Sequence, residues 1–393
     1  MIKVCFVVTE FPKLSETFVL DQILGLAERG FSVSVVTDTV RSASPDAELM
    51  RSLRDKVHAR WPEDSFPLRL SRRVKGRLRR GLHVAADLLA DGQFNRFDVL
   101  IAHFGYNGSR LARSKLLGRF DRPFLTAFHG VDVGIPLGDH NLSRSYHRLF
   151  RTGELLLPVS NFFRDILIRA GAAPESTRVH RMGVDTKAIH FEERFRSDRP
   201  LRIVSVCRLV EKKGLRYAIA GLGALRARCQ DLAWRWEIVG EGPLRVALEE
   251  QVRACGIRDR VEFLGSRSHE EAKGRIAEAD VFLMPSITAR NGDLEGVPVA
   301  LSEAMASGAI VVSSEHAGIP ELVESGVSGL LAPERDADTL SRHVQWIAEH
   351  RDASVAMAKA ARAAVERNFD RDKLHDALAA LLSDTVARAR RTR

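Results

Sequence analysis

The sequence predicts an α/β protein with two doubly wound, Rossmann-like domains. Short apolar runs rich in β-branched residues recur along the 393 residues, and segments of helical period separate them. An alternation of strand and helix patterns predicts parallel sheets with helices on both faces. The pattern starts at residue 2 and again at residue 201. A prior of roughly 150 residues per domain allows two or three domains in such a chain.

The first half opens with a predicted β-α-β unit. The segment over residues 2–9 is continuous and apolar, as in a strand buried on both faces. A helix over 16–28 follows, with Ser15 as its cap, and FSVSVVT is the second strand. Two later predicted strands, FDVLIAHFG (97–105) and PFLTAFHGVDV (123–133), carry a histidine near their ends. Because open α/β sheets bind ligands at the carboxyl ends of their strands, both histidines are candidate site residues.

The second half repeats this organisation. LRIVSVCRLVEKKGL predicts a strand, a turn that holds Arg208, Lys212 and Lys213, and then a helix. The runs WRWEIV, VEFLG, DVFLMPS, AIVVSS and SGLLAP predict further strands. Gly242 completes a G-x-G after the WRWEIV strand, but Arg245 stands where a dinucleotide fingerprint requires glycine. NAD binding is therefore not supported.

Composition predicts a protein of the cytoplasm. Hydrophobic residues make up 45% and charged residues 28% of the chain, as in ordinary globular proteins. The four cysteines include no C-x-x-C pair, which favours reduced, partly buried thiols over disulfides or metal ligands. No apolar run reaches the roughly 18 residues that a membrane span needs. The first apolar segment is too short for a secretory signal.

Positive charge is concentrated in one segment. The net charge is +9, and residues 69–80 (RLSRRVKGRLRR) contain seven positive charges and no acid. A basic amphipathic helix here predicts peripheral binding to an anionic membrane on its cytoplasmic face. The pattern equally fits a core helix with a solvated basic face. Nucleic acid is disfavoured because no aromatic residue interleaves the charges.

The segment over residues 291–331 carries the strongest pattern. Asn291, Gly292, Asp293 and Gly296 predict a loop, and a helix over 299–306 follows with Pro298 in its first turn and Gly308 as its stop. AIVVSS is the next strand, and GIPELV predicts the start of a second helix. A helix N-terminus at the end of parallel strands suits a phosphate.

Two carboxylates flank this helix start. Glu295 and Glu303 are eight residues apart, which is about 80° around a helix, so one helix would not align them. With Glu295 in the loop, both can face one pocket. The alternative is a solvated loop carboxylate and a surface helix carboxylate.

With GVP, SEAMASG and GIPELV around these glutamates, the segment resembles the donor-binding motif of the retaining family 4 glycosyltransferases, which have the GT-B fold. HG-x-D at 129–132, RMGVD at 181–185 and R-x4-K at 208–213 extend the resemblance over nearly the whole chain. FPKLSETF (11–18) resembles the exopolysaccharide subgroup, of colanic-acid type.

The resemblance implies two Rossmann-like domains facing an interdomain cleft. They are an acceptor-side domain over 1–185, a linker over 186–200 and a nucleotide-sugar-binding domain over 201–365. A C-terminal helix over 366–393 is expected to cross back to the first domain.

The resemblance also implies roles for individual residues. Arg208 and Lys213 would bind the diphosphate, Glu303 the ribose, and Glu295 the hydroxyls of the donor sugar, with His129 beside that sugar at the reaction centre. The other expected donor-binding residues are Gly242, Arg290, Gly296, Val297, Pro298 and Val299, of which Pro298 has no N–H to donate. The expected acceptor-side residues are Lys13, Glu16, His103 and Asp132; Glu16 also fits a plain first-turn charge. Lys212 is expected to be a solvated neighbour.

Together these residues predict a hexosyltransferase that needs no metal or other cofactor. Cationic side chains and a helix dipole would neutralise the leaving diphosphate, and catalysis would rest on positioning and electrostatics, with front-face displacement and retention. A retaining hydrolase needs two carboxyl groups about 5 Å apart; here the two glutamates are better explained as binding groups. The expected partners are a nucleoside diphosphate sugar, with UDP favoured and GDP-mannose as the second candidate, and a lipid-linked saccharide.

Two other functions remain open from the sequence. A nucleotide-sugar epimerase on the same fold would need acid and base groups around C2 of the sugar, and no residues stand out for them. A non-catalytic sugar-nucleotide sensor would need no turnover at all.

Overall fold

The computed structural model describes residues 1–13, 16–40, 56–59, 90–138, 140–194 and 199–392. The predicted cap Ser15 and the basic segment 69–80 lie outside these residues. Contacts divide the chain into two compact units. The first comprises Met1–Val159, Arg164–His180 and Asp372–Arg393, and the second comprises Ser160–Phe163 and Arg181–Arg371.

The first unit is built on a six-stranded parallel sheet in the order β3-β2-β1-β4-β5-β6. Its strands are β1 (Lys3–Phe11), β2 (Ser32–Val40), β3 (Val57–Ala59), β4 (Val99–His103), β5 (Phe124–Phe128) and β6 (Leu155–Pro158). The helices between them are α1 (Thr17–Glu28), α2 (Gly105–Leu116), α3 (Val131–Gly138), α4 (His140–Thr152) and α5 (Asn161–Arg169).

The second unit has a six-stranded parallel sheet in the order β12-β11-β10-β7-β8-β9. Its strands are β7 (Leu201–Val206), β8 (Trp234–Val239), β9 (Val261–Gly265), β10 (Val281–Leu283), β11 (Ile310–Ser314) and β12 (Leu330–Ala332). Its helices are α6 (Leu215–Arg228), α7 (Arg245–Ala254), α8 (His269–Glu278), α9 (Val299–Ser307), α10 (Ala337–Glu349) and α11 (Arg351–Asn368); α12 (Arg371–Arg391) ends the chain.

Both faces of the second sheet are covered, as predicted for a doubly wound fold. Ile203 and Val204 are neighbours on β7, so their side chains point to opposite faces. Ile203 belongs to one buried cluster and Val204 to another. In the first unit, Leu378, Leu382 and Val386 of α12 are buried in the same cluster as the β1 residues. Among the described residues, none of the helices is long and apolar enough to cross a membrane.

Three local predictions were wrong. The strand predicted over 123–133 stops at Phe128, and Val131 begins α3, because the carboxylate of Asp132 accepts the N–H groups of His129 and Gly130 and turns the chain. Pro298 precedes α9 as its cap residue with extended backbone.

The helix predicted from GIPELV is a single 3-10 turn over Ile319–Glu321. The chain leaves the helical path because the hydroxyl of Ser328 accepts the N–H of Glu324 at 2.9 Å. Such local side-chain hydrogen bonds compete with helix formation. The predicted stop of α9 is confirmed: Gly308 has a left-handed backbone with φ of 98°.

Candidate functional site

The second sheet reverses its strand order between β7 and β10. The chain runs outward from β7 through β8 to β9, then returns to the other side of β7 with β10. Ligands of open α/β sheets bind at such a switch point, beyond the carboxyl ends of the strands. The turn after β7 carries Lys212 and Lys213, and the loop after β10 carries Asp293 and Glu295.

These four residues form a lysine–carboxylate cluster. Lys213 Nζ lies 3.0 Å from Glu295 Oε2. Lys212 Nζ lies 3.1 Å from Glu295 Oε1, 3.1 Å from Asp293 Oδ1 and 3.2 Å from the carbonyl oxygen of Leu294. The contacts with Asp293 and Leu294 are hydrogen bonds and the contact with Glu295 is an ion pair, so all three bind Lys212 to the loop.

The prediction that Lys212 is a solvated neighbour was therefore wrong. Its side chain is only 10% exposed. Burial lowers the pKa of Lys212, but the charges of Glu295 and Asp293 outweigh burial and raise it. Lys212 thus holds the 293–295 loop, whereas Lys213 contacts a single described acceptor and keeps donors for a ligand.

Glu295 is a buried anion. Burial alone would raise its pKa, but Lys213 and Lys212 outweigh that effect and hold the pKa of Glu295 at about 2. A carboxylate offers about four lone-pair sites, and the two lysines leave some of them for sugar hydroxyls.

Two further residues, His316 and Glu334, fix the backbone of Glu295. His316 Nε2 accepts the N–H of Glu295 at 3.1 Å. The hydrogen of this ring must therefore be on Nδ1, which lies 2.5 Å from Glu334 Oε1. Glu334 also accepts the N–H of Thr288 at 3.0 Å. Neither residue has a role predicted from the sequence, although each follows the end of a strand in the same sheet, which was the available signal.

The N-terminus of α9 lies directly after Glu295. Pro298 provides no side-chain acceptor for the helix, and no described residue accepts the N–H groups of Val297, Val299 or Ala300. Gly296 is buried in this loop. The segment therefore presents unpaired N–H donors and the positive end of the helix dipole, as an anionic ligand requires.

Glu303 lies one turn into α9 with its side chain 12% exposed. Burial raises the pKa of Glu303 to about 7, against a smaller opposing effect of Lys273. His269 Nε2 is 3.8 Å from its carboxylate, and no described residue donates a hydrogen bond to it. Glu303 is thus a buried acceptor without a donor, as expected for a residue that binds ribose hydroxyls.

The other predicted donor-side residues lie around this cluster. Arg208 is exposed, and its guanidinium has no partner among the described residues. A Cβ on Gly242 would lie 2.5 Å from the carbonyl oxygen of Leu209, so glycine lets this loop pack beside Arg208. Arg290 is 85% exposed and 3.5 Å from Glu211 Oε1, which places it at the rim.

The first sheet also reverses its order, between β1 and β4, and the histidines lie at that edge. His103 Nδ1 is 3.0 Å from His129 Nε2. His103 is fully buried and stacks on Phe6 of β1. Burial lowers the pKa of His103 to about 3 and also lowers the pKa of His129 well below its ordinary value. Both rings are neutral near pH 7.

Asp132 is 1% exposed, and its oxygens accept the N–H groups of Gly105, His129 and Gly130. In this structure it holds the turn that carries His129. Lys13 and Glu16 form an ion pair in which the Lys13 side chain is 40% exposed and the Glu16 side chain 14% exposed.

Comparisons with known proteins bear on the family and the fold of the chain. A sequence model described as Glycosyl transferases group 1 matches residues 185–364, and one described as Glycosyltransferase Family 4 matches residues 15–188. WcaL of Salmonella typhimurium, provisionally assigned as a colanic acid biosynthesis glycosyltransferase, is 35% identical over 97% of this chain and 99% of its own. The amylovoran biosynthesis glycosyltransferase AmsK of Erwinia amylovora is also 35% identical, with the same coverage.

Among solved structures, Anabaena Alr3699/HepE in complex with UDP-glucose superposes with a TM-score of 0.76 at 21% identity. The match covers 98% of this chain and 100% of that one.

Proposed function

Because the chain belongs to the family 4 glycosyltransferases, we propose that it transfers a hexose, with retention, from a nucleoside diphosphate sugar to a lipid-linked saccharide. The family membership makes it a glycosyltransferase related to those of exopolysaccharide biosynthesis. The predicted GT-B fold is confirmed by the two parallel six-stranded sheets and by structural neighbours that cover the whole chain. Donor, stereochemistry and acceptor are parts of the proposal.

The observation that carries the proposal is the arrangement of charge at the second switch point. A departing diphosphate needs positive groups that do not have to reorganise during the reaction. Lys213, held 3.0 Å from Glu295, and the unpaired N–H groups of α9 provide such groups. Arg208 would add a guanidinium fork, which suits phosphate oxygens. The charge of the leaving group is then balanced by protein groups, and we propose transfer without a metal.

Binding of the rest of the donor follows from the two glutamates. The carboxyl of Glu303 would accept hydrogen bonds from the ribose hydroxyls. These hydroxyls would supply the donors that this buried group does not receive from any described residue. Glu295 would accept hydroxyls of the sugar. UDP-glucose is the first donor to test because the neighbour HepE is a UDP-glucose complex.

His129 would contact the transferred sugar as a neutral hydrogen-bonding group. Its lowered pKa, a result of burial, keeps the ring uncharged at physiological pH. It would therefore orient a hydroxyl while the positive charge of the oxocarbenium-like state is balanced by the departing diphosphate. The diphosphate oxygen would take the proton of the acceptor hydroxyl, so no protein nucleophile is required.

The acceptor part of the proposal rests on the relatives and on the basic segment 69–80. Seven positive charges there would bring the enzyme to an anionic membrane surface that displays a lipid-linked saccharide. Co-sedimentation with vesicles containing phosphatidylglycerol should fall at high salt. Equal recovery with neutral vesicles would contradict this part alone.

A thermal-shift panel of UDP-, GDP- and ADP-sugars tests the donor. A ligand at 100 times its dissociation constant adds about 2.7 kcal/mol to stability, which a melting curve resolves. Lys213→Ala should remove the shift, and Arg235→Ala, an exposed arginine on β8 of the same unit, should keep it. No stabilisation of the wild type by any sugar nucleotide would overturn the proposed function.

Product analysis separates transfer from the other activities. Nucleoside diphosphate release that depends on added membrane saccharide supports transfer. Conversion of the free sugar nucleotide to an epimer, or tight binding without turnover, would contradict it.

A further inference from the structure

The residue after β4 has an unusual backbone. Phe104 has φ of 69° and ψ of 138°, a region that side chains other than glycine rarely adopt. The conformation is held from several sides: the Phe104 N–H donates to the carbonyl oxygen of Ala127 at 2.8 Å, and the next N–H, of Gly105, donates to Asp132 Oδ2 at 2.9 Å. A strained bulky residue at a strand end, beside a candidate site, points to a function for its side chain.

The strain sets the position of two aromatic rings. The Phe104 ring centroid lies 4.8 Å from that of His129. The same ring also stacks on Tyr106, with centroids 5.4 Å apart and an angle of 5° between the planes. Phe104 is 7% exposed, whereas Tyr106 is 39% exposed. The result is a stacked aromatic pair, the Phe104–Tyr106 platform, in which the Tyr106 ring is exposed and the buried Phe104 ring contacts the neutral histidine.

Polar groups surround this platform. Arg110 forms two hydrogen bonds to the Asp38 carboxylate, at 2.5 and 3.1 Å, and approaches Asn107 Oδ1 at 3.4 Å. Burial, followed by the charge of Glu16, raises the pKa of the Tyr106 hydroxyl, so that it remains a hydrogen-bond donor. The carboxylates of Glu16 and Asp38, whose charges act on the Tyr106 hydroxyl, can accept hydroxyl groups on one side of a ligand, whereas Asn107 is fully buried.

We propose that the Phe104–Tyr106 platform is a saccharide subsite, on which the apolar face of a hexopyranose ring of the acceptor stacks beside His129. A pyranose ring has C–H groups on its faces and hydroxyls at its edge. The platform offers an apolar face within a polar rim, and that combination matches a sugar better than a lipid chain or a peptide side chain.

This inference rests on the proposed function, because it identifies the side of the chain that receives the acceptor. It does not depend on the donor site, since every residue in it belongs to the first unit. It also explains why a strained Phe104 stands between Tyr106 and His129: its ring contacts both.

Saturation-transfer difference NMR with methyl hexopyranosides tests the subsite without knowledge of the natural acceptor. The panel would contain the methyl α- and β-pyranosides of glucose, galactose and mannose. The variants would be Tyr106→Ala, Tyr106→Phe and, as a matched control, Leu116→Ala, which removes an exposed apolar side chain at the far end of the same helix.

In the wild type, we expect signals mainly on the ring protons of one sugar face. Tyr106→Ala should weaken binding about tenfold, as the loss of an aromatic stacking partner does. Tyr106→Phe and Leu116→Ala should resemble the wild type. An unchanged signal in Tyr106→Ala, or no signal for any glycoside in the wild type, would overturn the subsite.

The sugar-nucleotide melting curves of the same variants separate this proposal from the proposed function. Glycoside binding that needs Tyr106, in a chain that no sugar nucleotide stabilises, would keep the subsite and refute the transferase. A normal sugar-nucleotide shift, together with glycoside binding that does not depend on Tyr106, would refute the subsite and keep the transferase.

Discussion

The two sheets share one strand order, yet the side chains at their switch points differ in charge. At the β7–β10 edge, Lys212 and Lys213 lie within 3.1 Å of the Glu295 carboxylate. At the β1–β4 edge, two histidines face each other at 3.0 Å. The shared topology determines where a ligand binds, and the side chains determine what charge that ligand carries.

Burial acts on both edges and has opposite outcomes. Around Glu295, the lysines overcome burial, so the pKa of this carboxyl is held at about 2 and the group stays ionised. Around His103, burial and the charge of His180 act in the same direction, so the pKa falls to about 3. The edge of the first sheet, with its neutral histidines, is therefore suited to hydroxyl groups, and the edge of the second sheet, with its lysines, is suited to phosphate, as proposed for the acceptor and donor sides.

The largest effect is expected from a substitution that disrupts the lysine–carboxylate cluster itself. Lys212→Ala should destabilise the second unit by about 3 kcal/mol, because removal of one member of a buried ion-pair cluster leaves Asp293 without its lysine and Glu295 with only one of its two. Urea unfolding followed by tryptophan fluorescence reports this unit, since Trp234, Trp236 and Trp346 belong to it. Arg202→Ala, which removes an exposed arginine of the same unit, is the control. Equal stability of Lys212→Ala and the control would mean that the loop does not depend on this lysine.

The neighbouring lysine should behave differently. Lys213→Ala should weaken sugar-nucleotide binding about 100-fold, which corresponds to about 2.7 kcal/mol and is typical of hydrogen bonds to charged groups. Its unfolding midpoint should fall less than that of Lys212→Ala, because Lys212 still pairs with Glu295. Isothermal titration calorimetry with the best ligand of the panel measures the affinity. Equal affinity losses in the two variants would erase the distinction between a loop-holding and a ligand-binding lysine.

This distinction also marks what the sequence could and could not predict. Apolar runs and turn residues predicted the strands, α9 and its stop at Gly308, because those features depend on nearby residues. The role of Lys212 depends on β7 and β10 lying side by side, with about 80 residues between them in the chain, and that of His316 depends on β10 lying beside β11. Local patterns carry no information on that adjacency, so Lys212 was assigned to solvent and His316 was missed.

The strained Phe104 illustrates a second limit of prediction from the sequence. Its sequence context, HFGYNG, predicts a strand end followed by glycines. The positive φ arises from hydrogen bonds to Ala127 and, through Gly105, to Asp132. Those partners come from another strand and from the next helix.

The two edges should also respond differently to pH. An acid whose folded-state pKa is raised loses stability as the pH rises from its unfolded value to its folded one, because the unfolded chain releases its proton first. The free energy of unfolding should therefore fall by about 2.6 kcal/mol between those two pH values because of Glu303, whose pKa is about 7 against an ordinary 4.5. Glu303→Gln should abolish this loss, and Glu278→Gln, which changes an exposed carboxylate on α8, should keep it. Unfolding curves from pH 4.5 to 8 measure it.

Ligand binding provides an independent measurement of the protonation of Glu303. Ribose hydroxyls that donate to Glu303 would favour its ionised form, so binding at pH 7 should release about half a proton. Calorimetry in buffers of different ionisation enthalpy gives that number. Release that persists in Glu303→Gln would assign the proton to another residue.

The smallest expected effect concerns the neutral edge. His103→Phe keeps a ring that can stack on Phe6 but removes the hydrogen bond to His129 Nε2. Stability should change little, because the substitution also removes Nε2 of His103, a buried atom with no described hydrogen-bond partner. Turnover should fall about tenfold, since one hydrogen bond worth about 1.4 kcal/mol orients the imidazole. The loss should appear in kcat and leave the KM for the sugar nucleotide unchanged.

His103→Asn is the matched rescue, because its amide nitrogen can occupy the place of Nδ1 and hydrogen-bond His129 again. Nucleoside diphosphate release would be followed for both variants from pH 5 to 8. With both imidazoles neutral over this range, the wild-type rate should show no loss attributable to histidine protonation as the pH falls to 5. A wild-type rate that drops below pH 6.5, and that His103→Phe shifts along the pH axis, would mean that this pair acts as a charged group. The contrast between a neutral and a charged edge would then be wrong.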